Sequence, residues 1–326
     1  MYFDRNHAIR LGEGGETMRF RRLGPTDFDV SVVSFGTWTI GGADWGRVDD
    51  RDSIKAIRRS VELGVNLFDT APIYGNGHAE KVLGEALAGI RDKVFVATKC
   101  GPWEDELGRL RLDLSREGIT RQVEDSLRRL GTDRIDLLQV HWNDTMWPVD
   151  ATMETLRGLV DAGKIRAFGV SNFSAAEYAV AVPGGCASLQ SPYSLMNTDV
   201  EREMLPACAT TGTGFLAYEP LCRGLLAGKY GPGTKFEPGD IRAQDPRFRG
   251  EAFRANLAKV ERFRRLADAY GMDTATAAVA WVLHNPAVTT AICGARTVTQ
   301  AAANARAADM EIDDGLTARM RSIFES

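Results

Sequence analysis

Eight short apolar runs, each followed by a stretch of helical period, set the tightest limit on how this chain folds. The runs are VVSFG (32–36), VNLFD (65–69), VFVATK (94–99), IDLLQVH (135–141), IRAFGVS (165–171), ASLQS (187–191), GFLAY (214–218) and VTTAIC (288–293). Between and after them lie RDSIKAIRRSVELG, AEKVLGEALAGI, TRQVEDSLRRLG, DATMETLRGLVDAG, AAEYAVAV, DVEREMLPACATTG, TATAAVAWVLHN and TVTQAAANARAA, several ending in the Gly that stops a helix. Strands buried on both faces read as near-continuous apolar runs. Eight strand–helix alternations therefore predict an α/β fold, a closed (β/α)8 TIM barrel. An open doubly wound sheet would need a Gly-rich phosphate fingerprint at its first turn. GTWTIGG lacks the GxGxxG spacing and runs into the acidic stretch ADWGRVDD, so that signal is absent.

MRFRRLGPTDFDVS, before the first run, reads as a β-hairpin around Gly24-Pro25 that could plug the barrel floor. Two polar segments break the rhythm, 101–118 after the third strand and 228–250 after the seventh. An extra helix follows from about 251 to 270, and DDGLTARMRSIFES reads as a last one. Both long segments fall on the side where barrel enzymes keep their sites. Residues 1–17 are polar and Gly-rich and lack the apolar core of a signal peptide. They are expected to be a disordered extension, with a single barrel domain over 18–326.

Composition excludes several classes. A net charge of −4 is not the basic footprint of a nucleic-acid binder. No apolar run approaches the roughly 20 residues of a membrane span. Cys100, Cys186, Cys208, Cys222 and Cys293 are scattered and form no CxxC pair, which fits reduced thiols in a cytoplasmic protein. Of the histidines His7, His78, His141 and His284, only His141 stands at a strand end, too few for a metal-dependent barrel hydrolase, so no metal site is expected.

In a barrel, chemistry comes from the C-terminal ends of several strands. Here the second ends in Asp69, the third in Lys99, the fourth in His141 and the fifth in Ser171-Asn172, and Tyr74 sits five residues past Asp69. Singly, each has a plainer reading. A strand-end Asp is usually a turn or cap, a Lys there a solvated flank, and a His beside Trp142 a packing residue. Together they form a specific instrument. Asp69 and Lys99 on neighbouring strands can pair. A nearby ammonium would draw the phenol of Tyr74 down from about 10 and make it a usable general acid. His141 can polarise a substrate oxygen, and donors aimed at a developing alkoxide suit carbonyl reduction. No side chain supplies a hydride, which implies a nicotinamide cofactor.

Seven segments in order, GTWTIGG, FDTAPIYGNGHAE, VATKCG, LRRLGTDRIDLLQVHW, GKIRAFGVSNFS, YEPLCRGLLAGKY and CGARTVTQAAANA, resemble the aldo-keto reductase superfamily, in its bacterial, potassium-channel-β-subunit-like branch, across nearly all of 18–326. The resemblance implies that Asp69, Tyr74, Lys99 and His141 are a catalytic tetrad with Tyr74 as proton donor. It implies an NADPH-dependent oxidoreductase that reduces an aldehyde or ketone to an alcohol, reversibly. The cofactor residues it implies include Thr37, Trp38 and Asp69, with Ser171, Asn172 and Gln190 on the nicotinamide carboxamide and Tyr218 stacked on its ring. Pro220, Leu221, Gly224 and Lys229 would wrap the pyrophosphate, and Gly294, Arg296, Gln300 and Asn304 would hold the adenosine 2′-phosphate and adenine. An anion at the start of the last barrel helix, met by the planar donor fork of Arg296, favours NADP(H) over NAD(H).

Three positions depart from the family pattern. Ala303 replaces a Glu that holds the adenine, Glu219 replaces a Ser, and Leu189 replaces an Asn. The resemblance also raises a second function class, since channel β subunits share the fold and act on a partner. They carry Asn in place of the tetrad His, so His141 favours turnover. Trp38, Trp103, Trp142 and Trp147 are candidates for lining a substrate pocket, and Arg47, Asn143 and Asp144 for meeting a hydroxylated substrate. Sugars, small aldehydes, aromatic aldehydes and keto-terpenoids stay equally open as the small-molecule partner, and the sequence does not read out an oligomeric state.

Overall fold

Each of the eight runs forms a strand, and the eight close into a parallel barrel. In a computed structural model describing residues 6–11, 16–42, 44–46, 48–105 and 107–325, they are Val33–Gly36, Leu67–Asp69, Phe95–Cys100, Ile135–Val140, Ile165–Ser171, Ser188–Pro192, Gly214–Tyr218 and Val288–Gly294. Every strand neighbours the next in chain order, and the eighth closes on the first through Gly294 opposite Gly36. The connecting helices bury one face against the sheet. Their ends carry the expected caps: the Asp49 carboxylate accepts the amide of Arg51, Ser174 and Glu177 make a reciprocal capping box, and Gly131 closes Arg116–Leu130 in the left-handed conformation.

Side chains alternate along each strand, so residues two apart share a face. The inward set starts apolar, with Leu67, Ala97, Leu137, Ala167, Ala187, Leu216 and Ile292 packed together. Two residues on, the same face turns polar at Asp69, Lys99, Gln139 and Tyr218, and Gln190, two past Ser188, joins that layer. Small alanines leave room at the bottom, where the hairpin of Glu16–Arg22 and Asp29–Ser31 inserts Leu23, Phe28 and Val30. Phe28 stacks on Phe95 with centroids 4.8 Å apart. Burying that ring contributes about 2–3 kcal/mol. The turn fits because Gly24 has φ +53° and a Cβ there would lie 2.2 Å from the Ala187 carbonyl oxygen.

Two segments add strands outside the barrel. Within 1–17, Asn6–Leu11 forms a strand antiparallel to Glu16–Arg22, with main-chain pairing from Asn6–Arg21 to Leu11–Glu16; residues 1–5 and 12–15 lie outside the described residues. The segment after the third strand folds back as a small hairpin, Pro102–Glu104 with Leu110–Leu112, tied by Asp105, whose carboxylate accepts the amides of Leu107 and Arg109. The segment after the seventh strand carries the short helix Ile241–Gln244 before the long extra helix Gly250–Ala269, and Asp314–Glu325 closes the chain. Among the described residues, no helix is long and apolar enough to cross a membrane.

Candidate active site

The polar layer faces a cavity of about 550 Å³ at the C-terminal ends of the strands. Asp69 is the last residue of its strand, held by Thr37 N–H donating to its carbonyl at 2.9 Å. The chain then turns, and Tyr74 N–H donates to the Ala71 carbonyl at 3.1 Å, which swings the phenol back over the mouth. Gly75 makes that turn possible. Its φ is +62°, and a Cβ there would sit 1.9 Å from the Gly41 carbonyl oxygen, so the loops after the first and second strands touch backbone to backbone beside Tyr74.

Lys99 projects from the neighbouring strand and is 1% exposed. Its ammonium donates to both Asp69 carboxylate oxygens at 2.8 Å and to the Thr70 carbonyl at 2.9 Å, which uses all three protons. The ammonium stands 5.2 Å from the Tyr74 ring centroid. Burial lowers the pKa of Lys99 and the Asp69 charge works against that fall. The expectation that Lys99 draws the Tyr74 phenol toward neutrality is overturned. Burial first, then the charges of Asp69 and more distant groups, hold it well above 10. Burial is the main cause, and the Asp69 carboxylate adds to it.

His141 follows the fourth strand, its amide donating to the Cys100 carbonyl at 2.9 Å. Trp142 stacks on it at 4.4 Å, and Tyr74 meets it edge-on at 6.0 Å. Burial, then the Lys99 charge, push its pKa well below 6.5, so the ring is neutral. Its Nδ1 is buried with no partner among the described residues.

Behind the pair runs a polar ladder. Gln190 donates both amide protons, to Asp69 at 2.9 Å and to Gln139 at 2.8 Å, and Gln139 donates to the Ser188 hydroxyl at 3.1 Å. The Gln190 carbonyl oxygen is left as its acceptor. Tyr218 donates to the Asn172 side-chain oxygen at 2.7 Å, and Asn172 donates to the His141 carbonyl at 3.0 Å. Among the described residues, five non-glycines have positive φ: Asn76, Asn172, Glu219, Cys222 and Arg223. All fall in the loops around this cavity, where strain is commonly stored.

The two departures around the cavity also find their places. Glu219 is engaged by Arg223 at 2.8 Å and by Arg247 at 3.5 Å, and both arginines also hold Asp245. Its charge is thereby matched, a solution for which Arg247 gave no sequence signal. Ala303 lines the cavity together with Gln300 and Asn304. Gln300 accepts the backbone amide of Arg296 at 2.8 Å, and Thr297 caps the helix Val298–Arg306. Lys229 and Arg296 line the cavity, and neither forms an ion pair with a described residue. Burial and the charges of Arg242 and Arg296 depress the pKa of Lys229, as expected of a cation lacking its counter-ion.

Of the residues expected from sequence, Trp38, Asp69, Tyr74, His141, Ser171, Asn172, Gln190, Tyr218, Pro220, Leu221, Gly224, Lys229, Gly294, Arg296, Gln300 and Asn304 line this one cavity, as does Trp142. Lys99 lies behind Asp69. Thr37 is fully buried beneath the lining. Trp103 is not in the lining: it sits on the hairpin under the guanidinium of Arg121, 5.3 Å from its ring. Trp147 is likewise outside it, 42% exposed. Asn143 donates to Glu177 at 2.7 Å and Asp144 accepts the Met146 amide at 2.9 Å, so both are turned from the cavity, while Arg47 lies outside the described residues. Sequence reasoning missed Asp44, Trp45, Ile73, Arg242 and Gln139. Only Gln139 had a signal, as a polar residue inside an apolar strand at the spacing of Leu137.

Residues 32–325 match the Aldo/keto reductase family. Over 286 residues the chain is 40% identical to the Aldo-keto reductase YhdN of Bacillus subtilis, covering 86% of this chain and 85% of that one. Over 320 residues it is 33% identical to the NADH-specific methylglyoxal reductase of Escherichia coli, covering 93% and 98%. A glycerol dehydrogenase from Gluconobacter oxydans superposes with a TM-score of 0.86 at 38% identity over 93% of this chain and 94% of the other. An aldo/keto reductase from Klebsiella pneumoniae, solved with NADP and acetate, does so with 0.72 at 28% over 91% and 92%. The chain belongs to the aldo/keto reductase family and is an oxidoreductase acting on carbonyl compounds. One solved relative holds NADP, and an NADH-specific member is also among the similar proteins.

Proposed function

We propose that this enzyme reduces an aldehyde or ketone to an alcohol with NADPH, reversibly, with Tyr74 as general acid. The observation that carries the reading is the convergence of Tyr74 and His141 on one cavity, with the Lys99–Asp69 pair set behind the phenol. A bound nicotinamide supplies the hydride in reduction and accepts it in oxidation. Neutral His141, in the lining of the cavity, donates a ring N–H to the carbonyl oxygen. Tyr74, protonated because burial holds it so, gives its proton to the same oxygen as negative charge develops there. The Lys99 ammonium stands 5.2 Å from the Tyr74 ring centroid, and Asp69 keeps Lys99 charged and in place behind it.

The residues present fit a phosphorylated dinucleotide. Lys229 and Arg296 are cavity cations with no described carboxylate of their own, and Arg296 stands at a helix N-terminus, which suits a 2′-phosphate. Gln190 offers an acceptor and Asn172 lies beside it, as an amide ligand needs. Tyr218 flanks the same space. These features favour NADPH over NADH despite the NADH-specific relative. Loss of NADPH absorbance with a panel of aldehydes, ketones and sugars tests the reading. Turnover with NADPH well above that with NADH is expected, and absence of turnover with both cofactors across the panel contradicts it.

A further inference from the structure

The reacting end of the cavity holds one carboxylate that no described cation matches. Asp44, in the loop after the first strand, lines the cavity with Tyr74, His141 and Trp142. Its Oδ2 accepts the indole N–H of Trp38 at 2.9 Å. The Trp38 ring stacks on Tyr74 with centroids 6.1 Å apart, so a single indole separates this carboxylate from the phenol.

Most of the other described charges nearby are paired with each other, and the two cations that are not, Lys229 and Arg296, are the ones proposed to meet the cofactor phosphates. Asp69 is paired with Lys99. Glu219 and Asp245 are paired with Arg223 and Arg247. Arg223 reaches over the Trp38 ring at 5.7 Å but is bound to those two carboxylates. Arg242 is paired with Asp240, and Arg296 donates to the Trp45 carbonyl at 3.1 Å. His141 is neutral. With those two cations met by phosphate, Asp44 is the carboxylate left without an ion pair among the described residues beside Tyr74, and its field reaches the phenol.

We propose that Asp44 restricts the enzyme to uncharged carbonyl substrates and rejects those bearing a carboxylate or phosphate. This rests on the reading of the cavity as the carbonyl site. The warrant is Coulombic. Two like charges about 7 Å apart at an effective dielectric of about 20–40 disfavour the charged substrate about ten- to fiftyfold. A neutral hydroxyl or amide meets no such penalty and can donate to the remaining Asp44 oxygen.

The test compares 4-formylbenzamide with 4-formylbenzoate, aldehydes of nearly equal shape that differ in charge, using NADPH and both the native enzyme and Asp44→Asn. Asn keeps an oxygen for the Trp38 N–H. The native enzyme is expected to favour the amide in kcat/KM by about tenfold or more. Asp44→Asn is expected to narrow the gap through a gain with the carboxylate, which structural damage does not produce. Raising the salt concentration should narrow the native gap in the same direction. Equal use of the two aldehydes by the native enzyme, or an unchanged ratio in Asp44→Asn, overturns the proposal while leaving carbonyl reduction standing. Turnover of neither aldehyde overturns the proposal together with the reading it rests on.

Discussion

Lys99 and Asp69 form a closed, buried ion pair in which the lysine spends every proton on the aspartate and the neighbouring Thr70 carbonyl. Removing one partner of such a pair strands the other charge in the barrel, at a cost of about 3–5 kcal/mol. Lys99→Met should therefore lower the denaturant midpoint as well as abolish turnover. Unfolding curves matching those of the native chain contradict this, whatever the activity.

The depressed pKa of His141 and the raised pKa of Tyr74 define a pH window. The neutral imidazole exists above the folded pKa of His141, and the protonated phenol exists below the raised pKa of Tyr74. Reductive kcat/KM should be flat from about pH 6.5 to 10 as far as these groups are concerned. Stability carries a matching sign. The unfolded chain takes up a proton on His141 that the folded chain refuses, so its contribution is full above about pH 6.5 and is lost as pH falls below that value. An inflection in kcat/KM near pH 6.5 that disappears in His141→Gln contradicts the assignment.

Arg296 has no carboxylate partner among the described residues and stands at a helix start. Losing a charge-assisted contact to phosphate costs about 1.5–3 kcal/mol, or roughly ten- to a hundredfold in affinity. Arg296→Ala should weaken NADPH binding by that factor and NADH binding far less, measured by quenching of intrinsic fluorescence. Equal losses for the two cofactors remove the 2′-phosphate assignment.

Gly75 couples two active-site loops through a backbone contact that leaves no room for a side chain. Gly75→Ala forces both a disfavoured φ and a clash with Gly41, and the loop carrying Trp38 has to move away from Tyr74. Turnover should fall by at least about tenfold, with an unfolding free energy lower by about 1–3 kcal/mol. A variant with native kinetics shows that the loop contact is dispensable.

How far the sequence alone reaches depends on the range of the interaction. The barrel was legible because each strand and helix announces itself by local period, and eight alternations leave few architectures. Asp69, Lys99 and His141 were legible because each ends an apolar run with a polar residue. Tyr74 was legible from its place five residues past Asp69, on the loop over the barrel mouth, and the resemblance supported its role as proton donor. Long-range facts were out of reach. Arg247 matches the charge of Glu219 across 28 positions of chain. The Tyr74 phenol is pushed up rather than down because burial and the Asp69 charge decide the sign. Trp103 reads like any loop tryptophan, yet packs under Arg121 on a hairpin held by Asp105.

The central claim is that Tyr74 gives the proton and does little else, and Tyr74→Phe tests it most directly. The ring, its stacking on Trp38 and the turn at Gly75 all survive that change, and only the hydroxyl is lost. Steady-state NADPH oxidation and NADPH affinity by fluorescence titration should be measured on the same preparation. The account predicts a fall in kcat of about 10²–10⁴-fold with cofactor affinity essentially unchanged. Retained turnover, or affinity falling in step with kcat, contradicts it.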